Sequence, residues 1–410
     1  MEFPAKIRRA AATGTVRLLA VLLSMSTAAS GGAEDSPVPA RSDCRPFQRA
    51  MIFSGQGTDF TAFIGMYDAA VDAGRPPDLI LATSGGAIAA LIVGSFPERA
   101  DRNAFLSSPA FHEMMLSIHI DHPESGPFWL RSFVWRLRSV GIAPMPPHIF
   151  TRPIASKPRN FGIPEADRPF GSNPNGPRVI FIAGQCEFDG RLQRRPGRKL
   201  FTETWFTDGI TAVHLAGLGS GMGAKYPRSA IRCQSKTVAD ATVNDAMQAS
   251  ISEPYIFSPF RLEGHFYTGG AVNLWPCELA DQLARETIVP KQGPFCGAVE
   301  ALIAGVFEYS PAERRRDVDR LPVACRVDLS DSDEFTRDYS FWFKLKVVSN
   351  VSEVQAYPGG QPRPDRPYPF PRPNIVQSVP EDAAEFHRRL NLQWQYGYDR
   401  TRAAFAGKAK

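Results

Sequence analysis

Between Met51 and Gly94 the chain runs Met51-Ile52-Phe53-Ser54-Gly55-Gln56-Gly57-Thr58, then an amphipathic run, then Asp78-Leu79-Ile80-Leu81-Ala82-Thr83-Ser84-Gly85-Gly86 and a series of small apolar residues. Two short apolar runs, each followed by a glycine turn and a helical pattern, predict strand, helix, strand, helix. The strands are expected over Arg49–Ser54 and Asp78–Thr83. The first helix is marked by Phe63, Met66, Tyr67 and Ala70 at helical spacing, and the second covers Ala87–Val93. That order implies parallel strands with helices packed on them. Ser84 falls at the second strand-to-helix bend. Gly85 and Gly86 permit a tight turn there, and the hydroxyl stands beside a helix N-terminus that favours developing negative charge. This is the grammar of a nucleophile elbow. The plainer reading is a serine that caps the helix in a tight connection.

Outward from this unit, Asn103–Ile118 and Phe128–Val140 read as helices, and prolines, glycines and asparagines crowd Pro144–Pro177. Together they mark an irregular insertion at about 101–177. Core strands are expected over Arg178–Ala183 and Leu200–Phe206, a helical turn over Asp245–Ser250, a strand end over His265–Thr268 and a helix over Glu278–Arg285. Val299–Phe307 is apolar enough for a buried strand, and Ser340–Val348 alternates like a half-buried one. Seven prolines within Pro358–Pro373 exclude helix and central strand, because each removes a backbone donor. The last helix spans Ala383–Ala404.

At the N-terminus, Lys6, Arg8, Arg9 and Arg17 precede the apolar run Leu18–Leu23 and the small residues around Ala29-Ser30. A charged region, a short apolar region and a small-residue cleavage zone predict an exported chain, cleaved near Ala29-Ser30, that ends up periplasmic or secreted. Without residues 1–30, which carry those four cations and Glu2, the net charge falls from +5 to about +2. The remaining balance offers no basic patch for nucleic acid. The six cysteines, Cys44, Cys186, Cys233, Cys277, Cys296 and Cys325, are an even number in an exported chain, which favours disulfides. None forms a Cys-x-x-Cys, so no zinc site is expected.

Four pieces in order carry a resemblance to the patatin-like phospholipase family. They are Gly55-Gln56-Gly57-Thr58, Thr83-Ser84-Gly85-Gly86, the spaced set Ala249-Ser250, Pro254, Phe257 and Pro259, and Tyr267-Thr268-Gly269-Gly270-Ala271-Val272-Asn273. The likeness covers roughly Met51–Phe307. It implies a three-layer α/β/α domain with a mostly parallel central sheet, here over 47–356. Around it would lie an N-terminal extension (31–46), a Pro-rich connection (357–380) and a C-terminal helix packed on the domain (381–410). It also implies an acyl-ester hydrolase that acts on lipid or ester substrates without cofactor or metal. Ser84 would be the nucleophile, the N–H groups of Gly55, Gln56 and Gly57 would hold the oxyanion, and an aspartate would serve as base.

The chain departs from that pattern. Ala82 stands where the elbow normally begins with glycine, and Asp59-Phe60 stands where the oxyanion loop normally ends in Arg-Gly. Thr268 occupies the place of the dyad aspartate, and a threonine hydroxyl is no general base at neutral pH. Asp59, in the loop that should adjoin the elbow, is the substitute base that the sequence offers. The alternative is a catalytically silent protein that binds lipid or a protein partner in the same cleft. Three other signals fall away. Gly217–Gly223 lacks the Lys-Ser/Thr of a phosphate loop. His112, His119, Asp121 and His122 lack metal-site support. The acidic run at Asp328–Asp333 lacks the turn glycine of a calcium loop. Phe128–Val140 sets Leu130, Phe133, Val134 and Leu137 opposite Arg131, Trp135 and Arg138, a pattern suited to peripheral membrane contact.

Overall fold

In the computed structural model, residues 45–55, 59–120, 149, 153, 155–163, 166–170, 176–188, 199–295, 297–331, 344–348, 372–376 and 379–407 are described. Residues 1–44, where a signal segment is expected, Gln56, Gly57, Phe128–Val140 and most of the Pro-rich stretch lie outside them. The opening unit forms as its apolar pattern dictates: β1 (Phe47–Phe53), α1 (Phe60–Asp72), β2 (Leu79–Thr83) and α2 (Gly85–Ser95). Five further strands extend the sheet: β3 (Arg178–Cys186), β4 (Phe201–Phe206), β5 (Ile231–Val238), β6 (Ala284–Gln292) and β7 (Cys325–Leu329). Their order across the sheet is β7-β6-β1-β2-β3-β4-β5. Every neighbouring pair is parallel except β3 with β4.

Alternation along β1 shows how the sheet separates two cores. Met51 and Phe53 join one apolar cluster with Phe63, Met66 and Ile88, while Ala50 and Ile52 join the other with Trp275, Leu279 and Ile303. Successive side chains of a strand point to opposite faces, so a strand apolar at every position needs helices on both sides. One face carries α1, α2, the helix Val243–Ile251 and the long C-terminal helix Ala383–Ala406. The other carries Cys277–Leu283, Gly297–Phe307 and Pro311–Arg320. The result is the expected three-layer α/β/α arrangement.

The C-terminal helix crosses α1 at very short range. A Cβ on Gly65 would sit 2.0 Å from the Trp394 carbonyl oxygen, and one on Gly397 would sit 1.9 Å from that of Ala62. Buried polar groups lock the crossing. Asp68 pairs with Arg102, and it accepts from the Trp394 indole at 2.8 Å. His112 stacks on Phe386, with centroids 4.6 Å apart, and its Nε2 lies 2.7 Å from the Pro380 carbonyl.

Four expectations are corrected. Val299–Phe307 lies in a helix, not a strand, because a buried apolar run of that length satisfies either period. The helix expected to end at Arg285 stops at Leu283, and the chain enters strand β6 at Ala284. Pro290 fits within that strand because β1 pairs only as far as Ile288 and leaves one side unpaired there. The disulfides expected of an exported chain are not formed among the described cysteines. Cys186, Cys233, Cys277 and Cys325 are not disulfide-bonded, and three of them, Cys186, Cys277 and Cys325, are buried in the apolar layers, while Cys44 and Cys296 lie outside the described residues. The Asn103–Ile118 region is two helices, Arg99–Leu106 and Pro109–Leu116. Ser108 caps the second by accepting from the Phe111 amide, with Pro109 just inside.

Candidate active site

β2 ends at Thr83, and Ser84 follows with φ 50° and ψ −126°, a strained conformation for a residue other than glycine. Two hydrogen bonds pin it. The Ser84 amide donates to Ser250 Oγ at 3.0 Å, and Ser250 Oγ donates to the Ile182 carbonyl of β3 at 2.7 Å. α2 starts at once and lies so close to β1 that a Cβ on Gly86 would sit 2.2 Å from the Phe53 carbonyl oxygen. Only glycine permits that approach. The Ser84 side chain remains at the edge of solvent, with the residue 9% exposed.

Gly55 follows β1 and abuts the serine. A Cβ built on it would lie 3.3 Å from Ser84 Cβ and 3.8 Å from Ser84 Oγ. The backbone of the glycine loop therefore begins against the serine hydroxyl. Gln56 and Gly57 lie outside the described residues. Asp59 is buried at the start of α1, caps nothing with its side chain, and accepts from Gln393 Nε2 of the C-terminal helix at 3.4 Å.

The third motif arrives from a hairpin of Phe260–Leu262 and His265–Thr268. The second strand of the hairpin pairs antiparallel with β3 at Gly184 and Gln185, just beyond the stretch that β2 occupies. It therefore runs towards the end of β2, and Gly270 reaches the elbow, where a Cβ would sit 2.6 Å from the Ser84 nitrogen. Thr268 is fully buried. Its hydroxyl donates to the Ser252 carbonyl at 3.1 Å, and the Gly269 amide donates to the same oxygen at 2.7 Å. The residue in the dyad position thus ties the strand to the segment after helix Val243–Ile251.

That segment holds Glu253, which the sequence reading passed over. Its carboxylate fills the space above Gly269, where a Cβ would lie 2.4 Å from Glu253 Cδ. Burial pushes the carboxyl up to about 7. Its donors, the Ser84 hydroxyl and the Ala271 amide, and the positive charge of Lys157 pull it back down. Oε1 is buried without a hydrogen-bond partner. A carboxylate with one free oxygen, a serine hydroxyl beside it and a midpoint near neutrality can accept a proton from that serine. The turn that supplies the Ala271 amide, Gly270–Asn273, is held at both ends. Tyr309 Oη donates to the Ala271 carbonyl at 2.7 Å, and Asn273 Nδ2 donates to the buried Glu203 at 3.0 Å. Among the described residues no group of three or more His, Cys, Asp or Glu side chains is placed to hold a metal ion.

One signal for Glu253 was present in the sequence. It sits inside the Ala249–Pro259 segment that carries part of the family likeness. Along the strand of Thr268 itself, side chains alternate, so Glu263 and His265 fall on the opposite face from Thr268. The carboxylate beside Ser84 instead comes from the neighbouring segment, across the Ser252 carbonyl.

The three layers, the parallel sheet and the serine bend at the carboxyl end of β2 define a patatin-type α/β/α fold. A family model described as patatin-like phospholipase matches residues 51–281, more than half of the chain. The chain belongs to the patatin-like phospholipase family, whose general activity is lipid acyl hydrolysis. Among solved structures it is similar to VipD from Legionella pneumophila, with 10% sequence identity and a TM-score of 0.30 over 88% of this chain and 67% of that one. No curated protein matches.

Proposed function

We propose that the protein is an acyl-ester hydrolase acting on lipid esters, with Ser84 as nucleophile and Glu253 as its base. The observation that carries this reading is the placement of a buried, half-satisfied carboxylate against the hydroxyl of a strained elbow serine. Ser84 Oγ attacks the acyl carbon while Glu253 takes the hydroxyl proton. The carbonyl oxygen becomes an oxyanion, held by the N–H groups of the glycine loop Gly55, Gln56 and Gly57 that follows β1. Collapse expels the alcohol, which receives its proton from Glu253, and leaves an acyl-serine. Water then attacks that ester, giving a proton to Glu253, and collapse releases the acid as Glu253 returns the proton to the departing Ser84 Oγ. In this reading Glu253, not Asp59, does the work of the absent aspartate, and Thr268 fastens the strand to the loop that carries it.

The test is labelling of the folded protein by a fluorophosphonate, alongside turnover of a short-chain ester. Labelling and turnover lost in both Ser84→Ala and Glu253→Gln support the proposal. Wild-type turnover in Glu253→Gln overturns the assignment of the base. A folded wild-type protein that neither labels nor turns over ester is the silent binding protein that Thr268 would also suit.

A further inference from the structure

The strand Ala155–Ser156 lies alongside the Glu253 loop, with the Ala155 amide donating to the Ile256 carbonyl at 2.9 Å. The next residue, Lys157, sends its ammonium inward. Nζ donates to the Gln248 carbonyl at 2.7 Å and to Ser252 Oγ at 2.8 Å. Ser252 Oγ in turn donates to the Gln248 carbonyl at 2.7 Å. One ammonium therefore joins the last turn of helix Val243–Ile251 to the residue just before Glu253. That residue's carbonyl also receives Thr268 Oγ1 and the Gly269 amide.

The lysine stem is partly exposed, but the ammonium is enclosed, 5.6 Å and 5.9 Å from the ring centroids of Phe257 and Phe260. An enclosed ammonium is costly unless oxygens and an opposite charge receive it. Burial drives Lys157 well below its ordinary value, and the charge of Glu253 pulls it back up. The same attraction draws Glu253 down. Tyr309 also faces Glu253. Its phenol is raised by burial and stays neutral over the working range, so it brings no charge.

We propose that Lys157 is a positioning residue for the base, with its ammonium clamping Ser252 and Gln248 and its positive charge set beside Glu253. The proposal rests on the reading of Glu253 as base. It assigns a task to the Ala155–Lys157 part of the insertion.

The experiment is the pH profile of kcat/KM on a soluble short-chain ester for wild type, Lys157→Met, Lys157→Arg and Glu253→Gln. In Lys157→Met the rising limb should move up by about one pH unit, a loss of about tenfold at pH 6.5 that shrinks to under about threefold by pH 9. Lys157→Arg should return the limb towards wild type. If Lys157→Met does not fold, Lys157→Gln replaces it, keeping a donor for the two oxygens without the charge. A pH-independent loss in the uncharged variant, or an unmoved limb, overturns the role of Lys157 while leaving the base in place if Glu253→Gln is inactive. An active Glu253→Gln removes the base itself, and this proposal with it, whatever the lysine variants do.

Discussion

Two glutamates flank the Gly270–Asn273 turn, and both are withdrawn from water, yet they are driven in opposite directions. Glu253, before the turn, is pushed up to about 7 because burial outweighs a serine hydroxyl, one amide and the Lys157 charge. Burial also pushes Glu278, after the turn, upward. There the Arg314 guanidinium overrides it and holds the carboxyl below its ordinary value. Arg314 grips both Glu278 oxygens at 2.5 Å and also donates to the Trp275 carbonyl. A bidentate guanidinium satisfies a carboxylate completely and leaves it chemically idle. The site denies that completion to Glu253, whose Oε1 has no partner. The contrast separates a carboxylate that holds structure from one that is kept basic.

The largest expected effect separates the two residues by activity. Glu253→Gln should lower kcat/KM on a short-chain ester by about 10²–10⁴-fold, while its melting temperature at pH 8 stays unchanged or rises. Glu278→Gln should change turnover per folded molecule little. Next, Arg314→Met leaves the partly buried Glu278 with only Lys225 at 3.8 Å, takes the donor from the Trp275 carbonyl, and should destabilise the fold by about 1–3 kcal/mol. Denaturant titration reads that loss, and activity of the remaining folded fraction should persist.

The third expectation concerns pH. Because the fold raises Glu253 from about 4.5 to about 7, its contribution to stability is complete below pH 4.5 and is lost as pH rises through 7. The change is on the order of 3 kcal/mol, and Glu253→Gln should abolish it. Glu278, lowered by the fold, contributes stability above its ordinary value and loses it as pH falls through the folded one. The kcat/KM profile should rise with pH through about 7, because only ionised Glu253 accepts the proton. A flat profile between pH 6 and 8 would break the comparison. The smallest effect is expected at the dyad position. Thr268→Asp exchanges a donor for an acceptor facing the Ser252 carbonyl, and should cost about 1–3 kcal/mol without raising turnover. A gain in turnover would show that the strand end, not Glu253, is the proper seat of the base.

Much of this architecture was legible in advance. The strand-turn-helix pairs around Gly55 and Ser84 follow from local apolar periodicity and glycine placement, which act over a few residues. Pro290 argues against a strand at β6 until its neighbours are known, and the helix Gly297–Phe307 reads as a strand because a mostly apolar run of that length fits either period. The exported-chain argument favoured disulfides, and the buried positions of Cys186, Cys277 and Cys325 within the two apolar layers oppose it.

By itself the sequence determined the serine at a sharp bend, the glycine loop after the first strand and the absence of an aspartate at position 268. Each of these is a property of neighbours along the chain. The tertiary structure alone decided which carboxylate stands beside the serine. Glu253 meets Ser84 only when a helix end, a strand end and a lysine from the insertion are brought together. Burial at that meeting point gives an ordinary glutamate its basicity, and burial is a property of the packed fold that no local pattern encodes.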